Sequence, residues 1–232
     1  MEQKIRLNKF LSEAGVCSRR EADRLVEAKR VTVDGSVAVM GQKVSHDQCI
    51  EIDGKPIKKE EEKVLLAFHK PKGIVCTTSK KDKDNIVDYI NYGKRIYPIG
   101  RLDKDSHGLI LLTNQGELVD KILRGSNYHE KEYIVTVNKK VTPEFLKGMS
   151  SGVPILDTVT RECQIEQLGT HSFRIVLTQG LNRQIRRMCE YFDYRVVDLK
   201  RVRVMNIRLG RLKSGTYRKI SGAELEELLR LL

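Results

Sequence analysis

Three short segments carry the side chains best suited to chemistry. The first is YPIGRLDKDSHGLILLT, residues 97–113, which sets Asp103 in a polar turn just ahead of an apolar strand. The second is KEYIVTV, residues 131–137, a strand with Tyr133 near its start. The third is QGLNRQIRRMCEYF, residues 179–192, a glycine turn running into a basic helix that holds Arg183, Arg186 and Arg187. A carboxylate acts as a nucleophile or removes a proton only while ionised. Burial alone would neutralise it, and a nearby guanidinium opposes that. A tyrosine can stack on a flat ring and relay a proton. Taken singly, each group also has an ordinary reading. Asp103 suits a turn former paired with Arg101 or Lys104, Tyr133 a half-buried core residue, and the arginines a solvated or phosphate-facing helix.

Other chemistries find little support. The five histidines (46, 69, 107, 129, 171) are too scattered for a sequence-evident metal site, and no phosphate-cradling glycine loop occurs. The expectation is a protein with no metal and no cofactor. The cysteines at 17, 49, 76, 163 and 189 form no CxxC or Cys/His ligand spacing, so they read as free thiols, mostly small core residues. No run of about 18 apolar residues suggests a membrane span, and the first ten residues lack an apolar signal core. A cytosolic protein without a membrane role is expected.

Charge points to the partner. Residues 1–62 hold 12 Lys+Arg and 12 Asp+Glu, so the whole net charge of +12 sits beyond them. Residues 181–213 alone hold 10 basic and 3 acidic groups. A concentrated basic surface attracts nucleic-acid phosphate by counterion release.

The elements that must position these groups fall into two parts. Residues 1–54 read as a small module. Leu7, Phe10, Leu11 and Ala14 recur at helical spacing, and Gly15 ends that helix. Ser18 with Glu21 forms a capping box for a second helix. VTVDG and IEIDG then read as short strands closed by Asp-Gly turns. The charged stretch KPIKKEEEK, 55–63, reads as a linker. From 64 to 232 the text is strand-rich: 64–70, 73–78, 109–113, 132–137, 173–178 and 202–209. Helices are expected at 115–124, 142–150, about 182–192 and 221–232, the last opening on a second capping box, SGAE. Strands and helices do not alternate strictly, so the fold class is α+β, with a mixed sheet rather than a doubly wound one.

Taken together, GRLDKDSHGLILLT, the downstream KEY and GLNRQIRRM resemble the pseudouridine synthases, and RLNKFLSEAGVCSRREADRLVEAKRVTVDG, residues 6–35, resembles the S4 RNA-binding domain. The nearest branch is the ribosomal RNA enzymes with an N-terminal S4 domain. The resemblance runs from Arg6 to about Leu209 and implies a synthase domain built on a mixed, mostly antiparallel sheet. It implies Asp103 as catalytic carboxylate, Tyr133 as active-site tyrosine and Arg186 as their basic partner. It places Arg101, Leu102, Lys104, Arg183, Gln184 and Ile185 in contact with RNA, with Arg187 on the same basic helix and Arg19, Arg20 and Arg24 on the S4 helix. Lys70-Pro71-Lys72-Gly73 matches the family's first motif, which is more structural than chemical. Two residues depart from the family pattern: His107, where relatives often have another polar residue, and Asp193, which replaces a glycine. If that position needs positive φ, Asp adopts it at modest cost.

The implied reaction breaks N1–C1′ of a uridine, turns the base and joins C5 to C1′, with the base flipped out of its helix first. The implied substrate is ribosomal RNA, with the large subunit favoured and transfer RNA as the alternative. A monomer with no obligate protein partner is expected. The rival functions are a non-catalytic RNA-binding or ribosome-assembly factor on the same fold, and a nuclease. The isolated carboxylate argues against the first, and the lack of metal-binding carboxylate clusters or a His pair against the second.

Overall fold

Local signals at the N-terminus act as the sequence predicts. Strand β1 (Ile5–Arg6) leads into α1 (Leu7–Glu13), and α2 (Arg19–Glu27) starts at Ser18, whose Oγ accepts the Glu21 N–H at 3.2 Å. Leu7, Phe10, Leu11, Ala22 and Val26 turn inward onto Val31, Val33 and Ile50 of the short strands that follow. Those strands are β2 (Val31–Val33), β3 (Ser36–Val37), β4 (Lys43–Val44), β5 (Ile50–Ile52) and β6 (Lys55–Pro56). The computed structural model describes residues 4–57 and 62–232. Pairing of β6 with β5 carries ordered sheet two residues into the segment read as linker, of which residues 58–61 lie outside the described residues. Contacts divide the chain into two units. The smaller runs to Lys63 and takes in 93–95 and 114–116; the larger holds the rest.

The larger unit is α+β. Its elements are β7 (Leu65–Lys70), α3 (Ile86–Ile90), β8 (Tyr97–Ile99), β9 (His107–Thr113), α4 (Gly116–Leu123), β10 (Lys131–Val137) and α5 (Pro143–Ser150). They continue with β11 (Pro154–Ile155), β12 (Thr158–Val159), β13 (Gln164–Gly169), β14 (Ser172–Leu177), α6 (Gln184–Tyr191), β15 (Val196–Val204), β16 (Ile207–Arg208), β17 (Tyr217–Lys219) and α7 (Gly222–Arg230). The main sheet runs β13-β14-β10-β15-β9-β7-β17, with β16 beside β15 and β8 beside β9. Every pairing in it is antiparallel except β15 with β9, which is parallel and only two residue pairs long.

That parallel seam divides the sheet into two halves. Val135, Phe173, Ile175 and Leu199 pack with Phe145 and Met149 of α5 and with Ile185 and Met188 of α6. Leu65, Leu109 and Leu111 pack with Leu118 and Ile122 of α4 and with Leu228 of α7. Tyr133 touches the first of these cores and a third core, formed by Leu66, Phe68, Ile86 and Ile110.

Three expectations need correction. Residues 73–78 are not a strand: Val75 exchanges backbone hydrogen bonds with Asp84 and Ile86, so the segment folds back on the start of α3 instead of entering the sheet. The run 202–209 is a hairpin, because Met205 at φ 52° turns the chain between β15 and β16, and β15 starts six residues earlier than read. Ser221 makes no side-chain cap, and the Glu224 carboxylate that would complete the box is bound by Arg218, whose Nη2 lies 2.7 Å from Oε1. Asp103 pairs with arginines from outside its own turn, as described below, which sets aside its ordinary reading as a turn former paired with Arg101 or Lys104. Asp193 does take positive φ, at 59°.

The seam depends on Gly108. A Cβ there would sit 2.2 Å from the Arg201 carbonyl oxygen, and its φ of 107° lies outside the range of ordinary L residues. Gly108→Ala is expected to cost about 3 kcal/mol or more in urea unfolding, or to prevent folding. A loss below about 1 kcal/mol would contradict this account of the seam.

Candidate active site

Each half of the sheet contributes one side of a cleft of about 650 Å³. From one half comes the loop 101–106 ahead of β9; from the other come Tyr133 on β10, the loop 179–183 and the start of α6. A volume of this order suits a small ligand or a single flipped nucleoside.

Three inner contacts fix the Asp103 loop. The Leu102 N–H donates to Cys76 Sγ at 3.3 Å, and the Gly73 N–H donates to the Lys104 carbonyl at 2.7 Å. The fully buried Lys70 donates through Nζ to the carbonyls of Ser106 at 2.8 Å and Pro71 at 2.9 Å. Burial lowers the Lys70 pKa, while Cys76, Asp105 and Asp103 oppose the shift. The motif residue that reads as structural is thus a tether for the loop that carries the carboxylate.

Asp103 keeps about a third of its side chain exposed and faces two guanidinium groups. Its Oδ2 lies 3.8 Å from Arg183 Nη1 and 3.9 Å from Arg186 Nε. Arg186 is buried, and its Nη2 donates to Ser106 Oγ at 3.1 Å and stands 3.2 Å from Asp105 Oδ2. Its Nε is buried without a hydrogen-bond partner. An unpaired buried donor costs about 1–3 kcal/mol, so a small approach of the Asp103 carboxylate on ligand binding would recover stability as well as place charge. Arg183 is the N-cap of α6 in the left-handed conformation, φ 49° and ψ 34°, which orders the residue that reaches both Asp103 and Asp105, the latter at 3.5 Å. Backbone strain of this kind is stored where the surroundings demand it.

The expected site residues divide by placement. Asp103, Tyr133, Arg101, Leu102, Lys104, Arg183, Gln184 and Ile185 all border the cleft. Arg186 reaches Asp103 from behind it. Gln184 is nearly buried and spends its side-chain oxygen on the Leu181 N–H at 3.0 Å, and Ile185 is core. Arg187 is folded back onto Asn182, donating from Nε to its carbonyl at 3.1 Å. Arg19, Arg20 and Arg24 are exposed on α2 of the smaller unit, and Arg24 pairs with Glu21. His107 hydrogen-bonds Asp198 at 3.0 Å and stacks on His69, away from the Asp103 pairs.

Sequence reasoning missed four contributors. Asp105, two residues from Asp103, is the nearer partner of Arg186. Ser106 ties the guanidinium to the loop. Lys131 and Arg201 line the cleft beside Tyr133. The period-two alternation of β10 places Lys131 and Tyr133 on one face, a signal that was available. Arg201 was not readable. Arg201 pairs with Tyr133 while Arg203 pairs with Glu132, so residue 202 is an extra residue in β15. That bulge sends two arginines of equal parity to opposite faces. Arg203 joins Glu132 at 2.8 Å and Glu130 at 2.9 Å, and Arg174 links Glu132 to Glu166.

Comparison with known proteins places this geometry. Residues 64–191 match the family described as RNA pseudouridylate synthase, and residues 5–48 match the S4 domain. The chain is 52% identical to the dual-specificity RNA pseudouridine synthase RluF of Escherichia coli (strain K12), over 100% of this chain and 80% of that protein. It is 33% identical to the ribosomal large subunit pseudouridine synthase B of Bacillus subtilis (strain 168), covering 97% and 96%. A solved structure titled crystal structure of pseudouridylate synthase aligns with a TM-score of 0.71 at 25% identity, covering 98% of this chain and 100% of that one.

Removing the tether tests the architecture. Lys70→Met leaves the carbonyl of the buried Ser106 without its lysine donor and should cost about 1–3 kcal/mol in urea unfolding. Unchanged stability would show that the loop is held by other means.

Proposed function

We infer, for a chain that belongs to the RNA pseudouridylate synthase family and isomerises uridine in RNA to pseudouridine, that Asp103 is the carboxylate that acts on the target nucleotide. One observation carries the assignment. Asp103 is a partly exposed carboxylate in the cleft, held within 4 Å of two arginines, one of them buried. Guanidinium groups at that distance orient the carboxylate and complement the negative charge that either a nucleophile or a base carries.

The remaining roles follow from position. Arg186 orients Asp103, since its own burial and its bond to Ser106 leave it little freedom. Arg183 and Arg101, exposed at the rim, meet the phosphates beside the flipped uridine, and Lys104 adds a third cation there. Tyr133 stacks on the base and relays the proton that leaves C5. Leu102, Gln184 and Ile185 shape the wall, and Arg187 stiffens the turn before α6. Arg19, Arg20 and Arg24 on the S4 helix bind RNA outside the site. The reaction needs no redox step and no external group, and these side chains suffice for it without a cofactor.

Large-subunit ribosomal RNA is the proposed substrate. The S4 domain and the name of the Bacillus subtilis relative support that choice. The dual specificity named for the Escherichia coli relative favours a second RNA, for which structured transfer RNA is the candidate. The protein is proposed to work as a cytosolic monomer.

Asp103→Asn should abolish tritium release from RNA carrying 5-tritiated uridine while RNA binding stays measurable; normal turnover would remove Asp103 from the mechanism. Tyr133→Phe keeps the stack and deletes the hydroxyl, so a wild-type rate would exclude the relay. Arg183→Gln should reduce the salt slope of RNA binding by about one ion; an unchanged slope would exclude a phosphate contact there.

A further inference from the structure

The cleft holds more positive charge than its carboxylates pair. Asp103 and Asp105 are matched by Arg183 and Arg186. Of the other cleft cations, Arg101 and Lys104 are exposed, while Lys131 and Arg201 line the same cleft from neighbouring strands with less access to water. Arg201 is buried and donates its Nε to the Leu109 carbonyl at 2.7 Å. Lys131 Nζ reaches a single carbonyl, that of His129, at 3.3 Å. Among the described residues neither has a carboxylate partner. Burial lowers the Lys131 pKa, and the charge of Arg201 lowers it further. Holding two like charges together away from water is costly without an anion. The surroundings supply none, so the ligand must.

We propose that Lys131, with Arg201 beside it, stabilises the negative charge that develops on the uracil ring during isomerisation. The proposal rests on the pseudouridine reading above and deepens it. When N1–C1′ breaks, its electron pair stays on the base, spread over N1 and O2, while the carboxylate takes up C1′. If the carboxylate adds to C6 instead, the C5=C6 π pair moves to C5 and O4; N1–C1′ then breaks as C5 attacks C1′, and its electrons form N1=C6 as the carboxylate leaves C6. Either way the ring carries one negative charge. C5 then joins C1′ with that pair, the carboxylate leaves with its own, and the C5 proton passes to N1, so atoms and charge balance. Lys131 and Tyr133 share a face of β10, and Arg201 stands across from Tyr133 on β15, so both cations flank the ring on which the base would stack. A preorganised charge facing a developing anion in a water-poor site is among the stronger catalytic devices known.

The test compares Lys131→Met with Lys131→Arg, using single-turnover tritium release from 5-tritiated uridine RNA and separate RNA-binding measurements. Met should lower the rate about 100-fold with the dissociation constant changed less than about twofold, and Arg should restore it to within about tenfold of wild type. The pH profile gives a second readout. Asp103, Arg183, Arg201 and Tyr133 share the cleft with Lys131. The wild-type rate should fall on the alkaline side as Lys131 loses its proton below the usual lysine range. Lys131→Arg should lack that limb, and Tyr133→Phe should keep it. Wild-type activity in Lys131→Met, or an equal loss in Met and Arg, overturns the proposal. So does weaker RNA binding at an unchanged rate, which would make Lys131 a phosphate contact. A wild-type protein that releases no tritium would instead sink the pseudouridine reading itself.

Discussion

The two-residue parallel seam between β9 and β15 is the constraint on which the rest depends. Gly108 lets the β15 backbone come within a distance that a side chain would forbid, and Arg201 fastens the junction by donating to the Leu109 carbonyl. Each half-sheet packs on its own helices, but Val204 of β15 and Ile207 of β16 also enter the core beneath β7 and β9. The seam and that shared core set the halves in register. The carboxylate lies just upstream of β9 and the arginines just upstream of β15. Asp103 and Arg186, 83 positions apart in the chain, therefore meet because two strands lie side by side.

Charge in the cleft is organised by burial rather than by number. Exposed arginines such as Arg183 and Arg101 can exchange partners with an incoming phosphate at little cost. Arg186 cannot, because its surroundings would be left with an unpaired charge or an unpaired acceptor. The same logic separates Lys70 from Lys104. The first is sealed among carbonyls and fixes a loop; the second sits at the surface, 3.3 Å from Asp84. Residues of one type thus divide into fixtures and contacts, and accessibility decides which.

Legibility in the sequence followed the range of the interactions. Helices α1, α2 and α5 were readable because their signals lie within four residues, as with Ser18 and its hydrogen bond to Glu21. The long apolar strands β7, β9 and β14 were readable because nothing local competes with their pattern. The segment 73–78 has strand-like composition but spends its backbone on residues 84–86, a partner no local pattern reveals. Strand β13 was invisible because it is polar and lies at the sheet's edge, with most of its side chains exposed. In the site, Asp103, Tyr133 and Arg183 could be found by type and resemblance. Arg201 could not, since a bulge one residue away decides which face it takes. Asp105 was passed over because its role appears only once α6 packs against the loop.

The triplet Lys131-Glu132-Tyr133 is used from both sides of the sheet. Its first and third residues look into the cleft, while Glu132 sits in an ion-pair ladder with Arg203 and Arg174 on the other face. A shift of one residue would exchange the two sets, putting a carboxylate among the cleft cations and two cleft residues into the ladder. Insertions and deletions in this strand are therefore closed to variation. A one-residue insertion here would displace both inward residues at once, whereas the loops on either side can change length without moving them.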